Sequence, residues 1–103
     1  MKNTFVKLAN DLISFTSEEG GYSFVFKTKI HAIIVFLIYG HEKITFEEIC
    51  SKTTAVVSRT TIQSILIDGV KLGYLNKIPD KKDNRKKYYT CAILKPILEK
   101  WHN

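Results

Sequence analysis

One hundred and three residues, 11.9 kDa, are enough for one domain and too few for two. Hydrophobic residues at 45% and charged ones at 25% sit near the globular average, which excludes wholesale disorder and permits a core without disulfides or metal. The unusual quantity is the charge: 16 Lys and Arg against 10 Asp and Glu, a net of +6, which disfavours cationic partners and favours nucleic acid, an acidic protein or an anionic membrane surface.

In chain order, Phe5, Leu8, Leu12 and Phe15 form one apolar stripe, with Ile13 alongside and Lys7, Asn10 and Asp11 opposite. That spacing predicts an amphipathic N-terminal helix over 1–15. Met1-Lys2-Asn3 is not followed by an apolar run of signal-peptide type, so a cytoplasmic protein is expected. Thr16 to Gly21 ends in paired glycines and reads as a loop. Thr28 to Tyr39 is nearly all apolar and predicts a buried helix ended by Gly40. Its apolar run is well short of the roughly 20 residues a bilayer requires, so no membrane span is expected. His31 on this helix reads as a satisfied core or interface histidine rather than a ligand.

His41 to Ile44 is a short connection, and Thr45-Phe46-Glu47-Glu48 is a capping box that opens a third helix through about Lys52, with Phe46 and Ile49 facing in. Ser58 is the N-cap of a fourth helix, with Ile62, Ile65, Leu66 and Val70 as its core face and Gly73 as the left-handed residue after it. Tyr74 to Ile78 reads as a strand, Pro79 to Arg85 as a polar turn, and Lys86 to Ile93 as a second strand rich in aromatic and β-branched residues. Of Tyr88 and Tyr89, which alternate across that strand, at least one belongs to the core. Beginning the last helix at Cys91 would place Pro96 in its interior at a cost of about 3 kcal/mol. The expected division is therefore a strand to Ile93 and a short helix over 94–103, with Pro96 in its first turn and Ile97, Leu98 and Trp101 as its apolar face. Cys50 and Cys91 have no C-x-x-C pattern and read as reduced, buried thiols, with redox sensing as the minor alternative.

The charge is not spread evenly. Residues 76–90 hold Lys77, Lys81, Lys82, Arg85, Lys86 and Lys87 against Asp80 and Asp83, so +4 of the +6 falls on the predicted hairpin. Such a run is often mere solvated surface. Here it follows two short helices joined by a few residues, the second of which presents Ser58, Arg59, Thr60, Thr61, Gln63 and Ser64. That order is a helix-turn-helix reading, and the side chains suit a major groove about 12 Å wide. Arginine bonds guanine bidentately or clamps a phosphate, and glutamine bonds adenine. A thin basic hairpin beside the duplex would meet the polyanion and carry one arginine into the minor groove.

Three stretches carry a family resemblance. Gly73-Tyr74-Leu75-Asn76-Lys77 through Asp83-Asn84-Arg85-Lys86-Lys87 resembles the wing of MarR-type winged-helix transcription factors. Thr45-Phe46-Glu47-Glu48-Ile49-Cys50 resembles the family's first motif helix, and Arg59-Thr60-Thr61-Ile62-Gln63-Ser64 the start of its recognition helix. The resemblance covers about 28–93 and implies a winged helix-turn-helix, mainly α with a small β-hairpin (α+β), within a single domain over 1–103. It further implies a homodimer on pseudo-palindromic double-stranded DNA, often released by a small-molecule effector or by oxidation, with no residue assigned to an effector pocket. In that pattern Asp83 orients Arg85 for the minor groove. The sequence departs from the family at Gly69, where a core leucine is usual, and it ends soon after Trp101, before the family's long dimerisation helix. Dimerisation would therefore rest on Phe5, Leu8, Leu12, Phe15, Ile97, Leu98 and Trp101, or be absent.

The expected function is a sequence-specific DNA-binding transcriptional regulator, with a recognition helix about 58–72 and a basic wing about 77–90, without cofactor or metal. An enzyme is not expected: His31, His41 and His102 are scattered, and neither a Gly-rich phosphate loop nor a Gly-x-Ser-x-Gly motif is present. The principal alternative is a winged-helix interaction or replication module whose basic wing meets an acidic partner. RNA binding through Tyr88 and Tyr89 is a third reading.

Overall fold

The computed structural model describes residues 2–17, 21–83 and 85–102. Among the described residues, six α-helices, a 3-10 turn and three short strands follow one another as α1 (Lys2–Ser17), α2 (Gly21–Val25), α3 (Lys29–His41), β1 (Ile44–Thr45), α4 (Phe46–Thr53), α5 (Arg59–Lys71), β2 (Asn76–Pro79), β3 (Lys87–Thr90), the 3-10 turn Ala92–Leu94 and α6 (Lys95–His102).

Capping explains several of the boundaries. Thr28 accepts the His31 N–H at 3.1 Å and starts α3. At α4 both halves of the box form: Thr45 Oγ1 accepts the Glu48 N–H at 3.2 Å, and Glu48 Oε1 accepts the Thr45 N–H at 3.3 Å. Ser58 accepts the Thr61 N–H at 3.2 Å and starts α5, which ends before Gly73 at φ +86°.

The core gathers Ile34, Val35 and Ile38 of α3, Ile49 of α4, Ile62, Ile65 and Leu66 of α5, and Leu75, Tyr89 and Leu94 beyond them. Tyr89 is the core tyrosine of its pair, while Tyr88 is half-buried. The helix-turn-helix is thus held from behind by α3, and the hairpin is tied to it through the sheet. Strand order is β1-β3-β2, all antiparallel, with Ile44 opposite Tyr89 and Lys77 also opposite Tyr89.

Several expectations are corrected. The segment read as a loop to Gly21 instead has α1 running to Ser17 and a short helix, α2, beginning at Gly21. Gly21 sits against Ile97 and Leu94, where a Cβ would lie 2.9 Å from Leu94 Cδ2, so α2 tucks under the last helix. The predicted connection from His41 to Ile44 runs into a strand, β1, because Ile44 buries fully against β3. Gly40 does not end α3; the helix passes it, and Glu42 takes the positive φ of 65° while its N–H bonds the Tyr39 carbonyl at 3.2 Å.

Val70 is exposed, and Gly69 takes its place on the core face of α5, completing the Ile62, Ile65, Leu66 series at i+7. The first hairpin strand starts at Asn76, since Tyr74 stacks on Phe24 at 5.3 Å and Leu75 turns into the core. The second strand stops at Thr90, where the chain bends through Ala92–Leu94, burying Cys91 and Leu94, before Pro96 enters α6 at its second residue.

Candidate nucleic-acid interface

On α5 the buried stripe is Ile62, Ile65, Leu66 and Gly69. At about 100° per residue the opposite, outermost face carries Thr60, Ser64, Ile67 and Lys71, all exposed. Gln63 and Arg59 lie to one side of that face, toward α4, and Thr61 and Asp68 to the other, toward α3. The predicted set is therefore exposed throughout but divided among three faces.

Thr60, Thr61 and Ser64 border an open cleft with Lys27, His31 and Asp68. Ser58 is engaged at the helix start, its hydroxyl within 3.0 Å of Thr61 Oγ1. Sequence reasoning missed Ile67, 56% exposed, and Lys71, although both follow Thr60 and Ser64 at helical spacing. A helical projection centred on the polar residues rather than the apolar ones would have found them.

Arg59 is not a free side chain. Its Nη1 donates to Glu47 Oε2 at 3.0 Å and its Nη2 to Glu47 Oε1 at 2.6 Å, a two-pronged pair between the first turns of α4 and α5. The guanidinium carbon also stands 5.0 Å from the centre of the Phe46 ring. The hydrogen bonds from Arg59 hold the Glu47 carboxyl below its ordinary value. Glu47, Arg59 and Ser58 border a groove of about 380 Å³ floored by Cys50 and Ile62.

The wing joins β2 to β3 through 80–86. Asp80 and Asp83, which lower the local charge, organise the backbone of this tip. Asp80 Oδ1 accepts the Lys82 N–H at 2.8 Å, and Asp83 Oδ1 accepts the Arg85 N–H at 3.0 Å and Arg85 Nε at 3.5 Å. The Lys82 N–H is the main reason the Asp80 carboxyl lies below its ordinary value; partial burial opposes it and the Tyr88 hydroxyl adds to it. The Arg85 side chain is 94% exposed.

Lysines cover the tyrosines of the sheet: Lys43 and Lys86 stand 4.8 and 5.4 Å from the Tyr88 ring centre, and Lys77 5.9 Å from that of Tyr89. Lys81 and Lys82 are exposed and Lys87 is half-buried. Lys43 lies outside the predicted wing and joins its basic surface because β1 pairs with β3.

The predicted dimer contacts separate as well. Phe5 and Leu8 on α1 are exposed, at 66% and 36%. Leu98 belongs to the chain's own core and Ile97 packs against it beside Gly21, so neither forms an outward face as expected. Leu12, Phe15 and Trp101 have side chains outside the described residues. His31 is buried, with its Nδ1 2.7 Å from Thr28 Oγ1 and its ring edge-on to Phe24. Burial pushes both thiols up, Cys91 to about 11, which disfavours a reactive thiolate at neutral pH. Among the described residues there is no cluster of His, Cys, Asp and Glu able to hold a metal ion.

A helix-turn-helix followed by a two-stranded wing, backed by a helix and joined by a third strand, is a winged-helix fold. Among solved structures, the chain is similar to the Adhesin competence repressor (AdcR) from Streptococcus pyogenes, with a TM-score of 0.62 and 16% identity over 99% of this chain and 71% of that one. A tagged form of the same repressor gives a TM-score of 0.59 at 17% identity, over 96% of this chain and 68% of that one. The transcriptional regulator PA4135 gives a TM-score of 0.57 at 12% identity, over 90% of this chain and 65% of that one. No family model and no curated protein matches the sequence. No described helix is long and apolar enough to cross a membrane.

Proposed function

We propose that the chain acts as one winged-helix unit, a transcriptional regulator that binds double-stranded DNA sequence-specifically. The recognition helix, about 58–72, enters the major groove, and the wing, about 77–90, lies along the backbone with Arg85 at the minor groove. One juxtaposition carries this reading: an N-capped helix with an outward polar face adjoins a hairpin that holds +4 of the net charge. The fold supports it, being similar to that of a repressor and of a transcriptional regulator.

In this arrangement Thr60, Ser64, Gln63, Ile67 and Lys71 meet base edges and phosphates, with Ile67 suited to a thymine methyl. The lysines on the hairpin supply sequence-independent attraction, and Asp83 presets the Arg85 backbone so that its side chain projects from the tip. The exposed Phe5 and Leu8 on α1 support a homodimer, which would double the site and make it pseudo-palindromic.

Selection of bound sequences from a random duplex pool tests the reading. Enrichment of a motif with two half-sites is expected, and log K should fall with log[salt] by about 0.9 per phosphate contact. Absence of duplex affinity at low salt would overturn it and leave a basic wing that meets an acidic partner protein.

A further inference from the structure

Arg59 is the one arginine on the helix-turn-helix, and both of its terminal nitrogens are spent on Glu47. Neither partner is buried: the side chains are 61% and 71% exposed, so the pair is not a core contact that the fold needs. It spans the two helices of the motif, joining the first turn of α4 to that of α5. Phe46 holds the guanidinium from one side, and Glu48, the next residue along, is already committed to the capping box. Glu47 shares that first turn, and its carboxylate is turned to Arg59.

We propose that Glu47 is a positioning residue that restrains Arg59: it occupies the guanidinium in place of a backbone phosphate, so that Arg59 adds little to sequence-independent DNA binding. This rests on the DNA-binding reading above. The chemistry is an exchange of acceptors. A carboxylate and a phosphate both take two parallel N–H donors from arginine, so a backbone phosphate gains little by displacing Glu47. The internal carboxylate thereby holds down the sequence-independent part of binding.

The test compares wild type with Glu47→Gln, which keeps the shape and removes the charge, on a selected duplex and on a scrambled one across 50 to 200 mM salt. Freed from its carboxylate, Arg59 should add one phosphate contact on the scrambled duplex, steepening the log–log salt slope by about 0.9. The variant's gain over wild type should then shrink by about 3-fold between the two salt concentrations. In an Arg59→Ala background the same Glu47→Gln change should leave the slope unmoved.

An unchanged slope on the scrambled duplex, or an equal steepening in the Arg59→Ala background, would overturn the inference while leaving DNA binding intact. If wild type itself binds neither duplex at low salt, the underlying reading fails and this inference with it. A thermal unfolding curve for Glu47→Gln separates these results from loss of fold: a merely structural pair would lower the melting temperature and weaken both duplexes in parallel.

Discussion

Replacing Gly69 by alanine adds one methyl group at the most crowded point of α5. A Cβ there would press on Leu75 Cδ1 and lie 2.7 Å from Leu75 Cγ and 2.9 Å from Phe24 Cζ. Neither neighbour has room to withdraw, since Leu75 is 1% and Phe24 4% exposed. The backbone is pinned too, because the Gly69 carbonyl accepts the N–H groups of Tyr74 and Leu75 at 2.9 and 3.0 Å. In an open helix the change would stabilise by about 1 kcal/mol. Overpacking a closed core costs about 1–3 kcal/mol, and a clash with two buried side chains belongs to the upper part of that range. The net expectation is a loss of about 1–2 kcal/mol, or roughly 4–10 °C in melting temperature at this chain length.

Gly40 supplies the control. It lies inside α3, is exposed, and has nothing within 4 Å of the place an alanine methyl would take, so Gly40→Ala should gain up to about 1 kcal/mol. Thermal and urea unfolding of both variants reads the result. A Gly69→Ala protein as stable as wild type, or a Gly40→Ala protein clearly less stable, would refute this account of how α5 meets the wing.

Three further outcomes follow from named contacts. Thr45→Ala removes the hydroxyl half of the α4 capping box and should cost about 1 kcal/mol by urea unfolding, whereas Thr54→Ala, outside the box, should cost less. Burial, with Lys27 adding and Asp68 opposing, lowers the His31 pKa, so the unfolded chain takes up a proton first. The resulting stability is present above the ordinary value of 6.5 and is lost as pH falls below it; His31→Gln should narrow the melting-temperature difference between about pH 7.5 and 5.5, and an unchanged difference would count against it. Under the proposed function, Arg85→Ala should weaken all duplexes alike and flatten the salt slope by about 0.9, while Gln63→Ala should relax preference at one base position by roughly 1–3 kcal/mol; the same fluorescence titrations report both.

Much of the interface is legible locally. The α4 capping box, the Ser58 cap, Gly73 and the concentration of charge in 76–90 each involve residues a few positions apart, so short-range pattern suffices. Gly69 is the instructive miss. A leucine is the expected core residue there, yet the space is filled by Leu75 and Phe24, which arrive from other elements and force the glycine. Val70 reads as a core residue for a related reason: an apolar side chain on the stripe is indistinguishable in sequence from one just off it. Strand β1 escapes a sequence reading because two residues carry no period, and only pairing with Tyr88 and Tyr89 makes them a strand.

By itself, then, the sequence determined the order of the longer helices and of the two hairpin strands, the caps of α4 and α5 and the basic hairpin, since these follow from residue type and near-neighbour spacing. Tertiary structure decided which outward side chains are free. Arg59 reads as a base contact until α4 brings Glu47 within hydrogen-bonding distance, and Lys43 reads as a connection residue until β1 lays it beside Tyr88. Leu98 reads as a dimer contact until α6 folds it into the core. In each case the deciding partner is distant along the chain, and only the packing of helices and strands sets that distance.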